Sequence, residues 1–353
     1  MQLHRFSDES AGPEARGTAL GTAHAEALAA SSLLYRDFFR HLGLSDGRVE
    51  ALAASAHEAL SSWRPLLARE LEAVAAASGQ PLWHVQAVNA RTEILAAAGA
   101  AGHECSTLTT VLDGEAVTMQ TWDWHADLVP DGLLHSWFSD TGLGVKSFTE
   151  FGAQAKIGVN SAKVGLHFNI LSHRSDTGEN GVPVHSIARA VLDEAESLES
   201  AIQIASSAPA SASSSLTVLE ASDTPRVAAL EISPIGTAVV PSADGTLLHT
   251  NHFLDPTLAS GDTIPEESRT LQRFAALQDG LSRLAATGSA LADDVAAALM
   301  GPSGTDSVLC FQPDADAPPE NRWDTLLTIA LAPRTFRLHA SASTPSSPTF
   351  SAF

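Results

Sequence analysis

The spacing of apolar residues in this 353-residue chain changes near residue 105. From Thr18 to about Ala97 they recur at helical spacing, as a Leu/Ala stripe with charged residues on the other face. Turn and cap residues, among them Ser45 and Asp46, mark where stretches begin and end. Three helical stretches are predicted: His24 to Leu42, Gly47 to Ala77 and Pro81 to Ala97. The first hundred residues are therefore expected to form an α-helical layer.

Beyond residue 105, short runs of β-forming residues alternate with turn pairs such as Asp113-Gly114. Six strands are predicted first: Ser106 to Leu112, Ala116 to Thr121, Leu134 to Phe138, Val145 to Glu150, Lys156 to Asn160 and Val164 to Ile170. Later elements are helices at Val184 to Glu196 and Leu198 to Ser207, strands at Leu216 to Glu220, Val227 to Ile232 and Gly236 to Val240, a helical segment from Glu267 to Leu299, and a hairpin of Thr325 to Leu331 with Thr335 to His339. This order predicts an α+β fold in which two sheets are sandwiched between helical layers.

The charge balance excludes some classes of partner. The chain has 41 acidic and 20 basic side chains, a formal charge of −21, which repels a nucleic-acid backbone. With 44% apolar residues, it is a folded protein rather than a disordered acidic tail. No stretch approaches the ~18 uninterrupted apolar residues of a membrane helix, and the first residues lack a basic segment leading into an apolar one. We therefore expect a cytoplasmic protein without nucleic-acid or membrane partners.

Cys105 stands where the helical pattern gives way to strands. The chain has only two cysteines, too few for a disulfide framework or a thiolate zinc site. On burial statistics alone, Cys105 could be a small hydrophobe packed in the core. Several motifs accompany it in the chain: Asn89-Ala90-Arg91-Thr92-Glu93, Thr121-Trp122-Asp123-Trp124, Ile157 to Leu166 followed by Phe168-Asn169 and Gly181 to His185, and His249-Thr250-Asn251-His252-Phe253.

In this order and spacing, the motifs resemble the acyl-coenzyme A:6-aminopenicillanic acid acyltransferase family, also called the C45 peptidase family, of the N-terminal nucleophile hydrolases. The resemblance runs over nearly the whole chain. It implies a four-layer αββα sandwich and a precursor that cuts its own backbone before the cysteine. The scissile bond would be Glu104-Cys105. Residues 1–104 would then form a helical α chain that stays associated with a catalytic β chain, 105–353, in one domain.

The chemistry that this resemblance implies is sound on physical grounds. The Cys105 sulfur would attack the Glu104 carbonyl, and water would resolve the resulting thioester. The new N-terminal amine, with a pKa near ~7.7 beside a thiol near ~8.5, could then serve as the general base of the nucleophile. No histidine and no cofactor are required.

The resemblance also assigns roles to other residues. Asp123 would hydrogen-bond and orient the freed ammonium group, and Asn251 would donate its amide to the oxyanion, where one donor is worth roughly 3 kcal/mol. On spacing alone, Asp123 could be a surface carboxylate and Asn251 a turn residue. Further candidates for oxyanion or substrate contacts are Asn169, Ser307 and Trp124.

One position departs from the family pattern. Many relatives carry Ser-Ile-Cys-Arg near the C-terminal hairpin, whereas this chain has Ser307-Val308-Leu309-Cys310-Phe311. Phe311 takes the place of the arginine, so a positive charge expected near Cys105 is missing. Another arginine could replace it, but the sequence does not say which. Cys310 is expected to pack in the core.

The predicted function is that of a self-processing amidohydrolase that cleaves an N-acyl amide of a small molecule, with water as the preferred acceptor of the acyl group. Alternatives are an acyltransferase that moves an acyl group from a thioester or amide to an amine, a non-catalytic protein with the same fold, and a metal-dependent hydrolase. The chain has 14 histidines but no His-Glu-x-x-His spacing. Homo-oligomerisation is left open.

Overall fold

The first hundred residues form a helical layer after a single strand. The computed structural model describes residues 1–100, 104–265, 268–312, 316 and 322–353. Its first elements are β1 (Gln2–Ser7), α1 (Pro13–Ala23), α2 (Ala25–His41), α3 (Asp46–Trp63), α4 (Pro65–Ser78), α5 (Leu82–Asn89) and α6 (Arg91–Ala97). The Ser45 hydroxyl caps α3 by accepting from the Arg48 amide at 3.3 Å. The predicted stretch from residue 47 to 77 is two helices, because Pro65 has no amide hydrogen to continue α3 and instead begins α4.

Two sheets follow. The strands are β2 (Glu104–Leu112), β3 (Glu115–Trp124), β4 (Asp131–Phe138), β5 (Gly144–Glu150), β6 (Ile157–Asn160), β7 (Val164–Ile170), β8 (Ser214–Glu220), β9 (Arg226–Ser233), β10 (Gly236–Pro241), β11 (Leu247–His249), β12 (Asp324–Ala332), β13 (Arg337–Ser341) and β14 (Ser351–Ala352). Within the described residues, sheet A has the order β1-β4-β5-β6-β7-β8-β9-β10 and sheet B the order β11-β2-β3-β12-β13-β14. Neighbouring strands are antiparallel except β1, which runs parallel to β4.

The remaining helices complete four layers. They are α7 (Val184–Glu194), α8 (Leu198–Ser206), α9 (Pro256–Ala259), α10 (Thr270–Thr287) and α11 (Ala292–Met300). The N-terminal helices, α7 and α8 cover sheet A, and α10 and α11 cover sheet B. The two sheets face each other through buried polar contacts, for example Thr107 Oγ1 to Asn169 Oδ1 at 2.8 Å. The predicted α+β sandwich of two sheets between helical layers is therefore confirmed.

Several predicted boundaries were wrong for local reasons. The segment predicted as one helix up to Leu299 is α10 and α11, separated after Gly288, which ends α10 at a φ of 65°; its predicted start, Glu267, lies outside the described residues. The second strand of the predicted hairpin, β13, begins at Arg337 rather than Thr335, because Pro333–Thr335 forms a 3₁₀ turn. In the part of the chain that the structure describes, no helix has both the length and the apolar character needed to cross a membrane.

Candidate active site

Cys105 lies near the start of β2, inside sheet B. Its residue partner across the ladder is Trp122 of β3, and it is only 2% exposed. Because side chains alternate along a strand, Cys105, Thr107 and Trp122 share the face that is turned toward sheet A. Ser106 and Asp123 belong to the opposite face, which α10 covers. The bond before Cys105 therefore lies where the two sheets and α10 meet.

Asn251 holds the backbone nitrogen of Cys105. It follows β11, and its Oδ1 accepts the Cys105 N–H at 2.7 Å, while its Nδ2 donates to the Ile170 carbonyl at 2.8 Å. The side-chain oxygen of Asn251, not its NH₂ group, thus faces the nitrogen of the predicted scissile bond. In this arrangement Asn251 orients the peptide nitrogen, and its role as an oxyanion donor stays a prediction.

The segment around Asn251 is itself fixed by a buried carboxylate. Glu231 of β9 accepts hydrogen bonds from the His249 ring at 2.9 Å, from the Leu254 amide at 2.6 Å and from the Asp255 amide at 2.9 Å. These donors flank Asn251 on both sides in the chain. Glu231 therefore clamps both ends of the short loop that presents Asn251.

Arg273 and Asn169 hold the carbonyl of Cys105. Arg273 Nη1 donates to this oxygen at 2.6 Å, and Asn169 Nδ2 donates to it at 3.2 Å. Arg273 also donates through Nη2 to Asn251 Oδ1 at 2.9 Å. Burial lowers the pKa of Arg273 to about 9, so the guanidinium stays charged at neutral pH. A buried positive charge thus contacts both the Cys105 backbone and Asn251.

Sequence reasoning missed Arg273. The buried positions of α10 are Thr270, Arg273, Leu277, Gly280 and Leu284, a single helical stripe. An arginine on an otherwise uncharged stripe was the available signal, since arginine side chains are rarely fully buried.

Asp123 is buried one residue from the ladder partner of Cys105. Its Oδ1 accepts the Thr325 hydroxyl, and among the described residues Oδ2 has no hydrogen-bond partner. Burial raises the pKa of Asp123 well above its usual range, opposed by the Thr325 hydrogen bond and by the charge of Arg269. The backbone of Asp123 opposes the rise that burial causes in the pKa of the Cys105 thiol. Among the described residues, one carboxylate oxygen of Asp123 is thus left without a donor.

The Cys105 thiol is neutral in the uncleaved chain. Burial raises its pKa to about 12, although the positive charge of Lys156 opposes this shift. Lys156 Nζ lies 3.8 Å from the centroid of the Trp122 ring and 3.1 Å from Glu150 Oε1. Burial lowers the pKa of Lys156 to about 7. Ionisation of the thiol therefore requires a nearby base.

A buried ionic cluster of Arg91, Glu150 and Lys156 lies next to Trp122, the ladder partner of Cys105. Arg91 Nη2 donates to Glu150 Oε1 at 2.6 Å, and Tyr35 donates its hydroxyl to the same carboxylate. Although burial acts in the opposite direction, Arg91 and Lys156 hold the pKa of Glu150 far below its usual range. Trp124, a predicted substrate contact, instead donates its Nε1–H to the Tyr35 hydroxyl at 3.0 Å within this cluster.

A cleft of about 310 Å³ opens beside the site. It is bordered by Thr92 of α6 and by Ile170, whose carbonyl holds Asn251, and His173 and Asp176 supply polar groups to its wall. Ser307 does not join the site: among the described residues its hydroxyl accepts a local hydrogen bond from the Leu309 amide at 3.3 Å. The structure brings together Cys105, Asp123, Asn169 and Asn251, and adds Arg273.

Comparison with known proteins identifies the family. Residues 112–337, more than half of the chain, match the family model described as acyl-coenzyme A:6-aminopenicillanic acid acyl-transferase. The chain belongs to this family. The matched range includes Asp123, Asn169, Asn251 and Arg273 but begins after Cys105. The predicted membership is thus confirmed, while the role of Cys105 as a nucleophile stays a prediction.

Individual relatives are more distant. The chain is 26% identical over 212 residues to the acyl-coenzyme A:6-aminopenicillanic-acid-acyltransferase 40 kDa form of Emericella nidulans, a match that covers 60% of this chain and 58% of that relative's length. It is similar to the solved structure of penicillin V acylase from Agrobacterium tumefaciens (TM-score 0.46, 14% identity, 70% of this chain and 86% of that one). It is also similar to a mutant of conjugated bile acid hydrolase from Clostridium perfringens (TM-score 0.43, 12% identity, 70% and 96%).

The metal-dependent alternative gains no support from the geometry. Across residues 1–100, 104–265, 268–312, 316 and 322–353, no group of three or more His, Cys, Asp or Glu side chains is placed to hold a metal ion. His249, one of the histidines that suggested this alternative, points its ring nitrogen at Glu231.

Proposed function

We propose that this chain is a self-processing N-terminal cysteine amidohydrolase. Its precursor would break the Glu104-Cys105 bond, and the mature β chain would cleave an N-acyl amide through an acyl-enzyme on Cys105. The observation that carries this proposal is the convergence of Asn169, Asn251 and Arg273 on the backbone of Cys105. A cysteine that only packed in the core would need none of these buried polar side chains, each of which costs free energy to desolvate.

Cleavage of the Glu104-Cys105 bond needs no reagent other than water. The Cys105 sulfur bonds to the Glu104 carbonyl carbon, the carbon–nitrogen bond breaks, and the thiol proton passes to the departing nitrogen. Asn251 Oδ1 already accepts a hydrogen bond from this nitrogen and can continue to accept one as the nitrogen becomes an amine. Water then hydrolyses the thioester, leaving a carboxylate on Glu104 and the free thiol and amine of Cys105.

In the mature site the new amine supplies the missing base. An α-amino group with a pKa near ~7.7 lies on the same residue as the sulfur and can accept its proton. When it is protonated, Oδ2 of Asp123, which has no hydrogen-bond partner among the described residues, would accept a hydrogen bond from it. A charged ammonium beside the thiol also favours the thiolate, reversing the effect of burial on the sulfur. The substrate would enter through the cleft bordered by Thr92 and Ile170.

Acyl transfer is the second candidate. The name of the matched family model, and that of the fungal relative, describe an acyltransferase. The same acyl-enzyme on Cys105 serves both reactions, since an amine in place of water would receive the acyl group.

The two segments are expected to remain together after cleavage. Among the described residues, several buried or half-buried ion pairs join the two segments, including Arg91 with Glu150 at 2.6 Å, Arg189 with Glu70 at 2.8 Å and Arg64 with Glu194 at 2.7 Å. The parallel strand β1 adds backbone hydrogen bonds to β4. We therefore expect the fragments to co-elute in size-exclusion chromatography without denaturant.

Intact mass spectrometry tests self-processing. The purified 36.8 kDa chain is expected to give fragments 1–104 and 105–353, and Cys105→Ala is expected to remain intact. Cys310→Ala is the matched control and should be cleaved like the original, because Cys310 lies against Met300 (Sγ to Sδ 3.4 Å) and away from the scissile bond. A chain that stays whole after prolonged incubation would contradict self-processing.

A panel of N-acyl amides then tests catalysis, with released amine as the readout and an added acceptor amine to separate hydrolysis from transfer. Turnover by the processed protein, absent in Cys105→Ala, is the expected result. If no amide, ester or thioester is turned over, the catalytic proposal is wrong.

A further inference from the structure

Arg269 stacks on Phe311, at the position where the resemblance to the family leads us to expect an arginine. Arg269 immediately precedes α10, and its guanidinium carbon lies 3.8 Å from the centroid of the Phe311 ring. Arg273, one turn further along, is 5.9 Å from the same ring and is directed at the Cys105 backbone. A cation over an aromatic face at this distance is a favourable and orienting contact. Phe311 therefore fixes where the charge of Arg269 lies.

Phe311 is in turn tied to Asp123 through Thr325. The Phe311 amide donates to Thr325 Oγ1 at 2.9 Å, the Thr325 amide donates to the Phe311 carbonyl at 3.1 Å, and the Thr325 hydroxyl donates to Asp123 Oδ1. Arg269, Phe311, Thr325 and Asp123 thus form one connected group on the α10 side of sheet B. The charges of Arg269 and Asp123 act on each other across it.

We propose that Arg269, held on Phe311, is a positioning residue that favours the ionised form of Asp123 and so prepares it to receive the Cys105 ammonium group. The role of Asp123 toward that ammonium rests on the proposed function; the link between Arg269 and Asp123 does not. In this chain the positive charge reaches the site from α10 rather than from position 311. The phenyl ring at 311 serves as the platform for that charge.

The other groups around Asp123 do not supply this charge. On its own sheet, Asp324 of β12 is an acidic neighbour that opposes ionisation. Burial raises the pKa values of both cysteines, Cys105 and Cys310, so both are neutral thiols. The negative charge of Asp123 raises these pKa values further. Arg269, immediately before α10, is the positive charge among the described residues that favours ionisation of the Asp123 carboxyl group.

The first test needs no catalysis. In a Cys105→Ala background, which cannot cleave, the free energy of unfolding is measured against pH with and without Asp123→Asn. Because burial raises the pKa of Asp123, the stability difference between the two falls as the pH rises above about 4 and levels off beyond the pKa of the folded carboxyl. Arg269→Met is expected to move that levelling point up by about one pH unit, the effect of removing one nearby opposite charge. Arg269→Lys, which keeps the charge, should move it less.

The second test uses self-cleavage. The pH below which self-cleavage slows is expected to move up by about one unit in Arg269→Met. On this acid limb of the pH profile, the variant should react roughly tenfold more slowly. Phe311→Arg combined with Arg269→Met should restore the original profile. Should that double variant fail to fold, Arg269→Lys provides the same comparison.

The two tests separate the two proposals. A shifted levelling point in a protein that never cleaves would leave the role of Arg269 intact and refute self-processing. The role of Arg269 would be overturned if the original protein cleaves normally but Arg269→Met shifts neither the levelling point of the stability difference nor the acid limb of self-cleavage.

Discussion

Glutamine in place of Glu231 is expected to loosen the loop that carries Asn251. The carboxylate accepts three hydrogen bonds, two on Oε1 from His249 and Leu254 and one on Oε2 from Asp255. The glutamine oxygen can keep the first two, but its NH₂ group then faces the Asp255 amide, so one hydrogen bond to a charged acceptor is lost. Such a bond contributes about 1.5–3 kcal/mol. Local opening should become about 10- to 150-fold more frequent, since about 1.4 kcal/mol is a factor of ten.

Hydrogen exchange measures this opening directly. The comparison is made in a Cys105→Ala background, so that every sample is one uncleaved chain. Exchange of the Leu254 and Asp255 amides should accelerate in Glu231→Gln, whereas Glu196→Gln, at an exposed glutamate, should leave it unchanged. In the cleavable chain, Glu231→Gln should slow self-processing, because Asn251 is less often in place to hold the Cys105 nitrogen.

Two results would refute this reasoning. Unchanged exchange at Leu254 and Asp255 would mean that Glu231 does not clamp the loop. Faster exchange with an undiminished cleavage rate would mean that the position of Asn251 does not matter for the reaction.

Three further changes probe the fold. Arg91→Met leaves a buried carboxylate without its main partner and should lower the free energy of unfolding by about 3–5 kcal/mol in urea titrations, whereas Arg226→Met, at an exposed pair, should cost under about 1 kcal/mol; equal effects would contradict this view. Burial raises the pKa of Glu93 from 4.5 to about 7, so its ionisation should reduce stability by about 3 kcal/mol as the pH rises between these values, and Glu93→Gln should remove that part of the pH dependence. Gly17→Ala places a Cβ 2.3 Å from a carbonyl oxygen of α4 and should lower the unfolding temperature, whereas Gly47→Ala, with open space around it, should leave it unchanged or raise it.

The parts of the fold that local patterns determine could be predicted. The strand predicted at Val164 to Ile170 has those bounds in the structure, and the helix from Val184 is wrong by only two residues at its end. Both segments carry a strong periodic pattern of their own. Strand β1 was missed because its stability comes from parallel pairing with β4, about 130 residues away, and nothing in Gln2–Ser7 itself encodes that partner.

The same distinction applies to the site. Cys105, Asp123 and Asn251 could be found because they stand in short motifs whose spacing is visible in the chain. Arg273 and Arg269 act through contacts with residues that lie far from them in sequence, and only the packing of α10 on sheet B brings them near. The resemblance to the family led us to expect a positive charge at position 311, and the fold places Arg269 against Phe311 there.

The pairing of β1 with β4 has a consequence for the processed protein. If the backbone is cut before Cys105 as proposed, the strand that covers the edge of β4 belongs to a different polypeptide from the rest of sheet A. Unfolding then releases two molecules, so refolding becomes a second-order reaction that slows on dilution. A β chain alone would expose the edge of β4, and exposed strand edges promote aggregation. The processed protein should therefore resist inactivation through slow unfolding rather than through reversible folding, with an unfolding midpoint that depends on protein concentration.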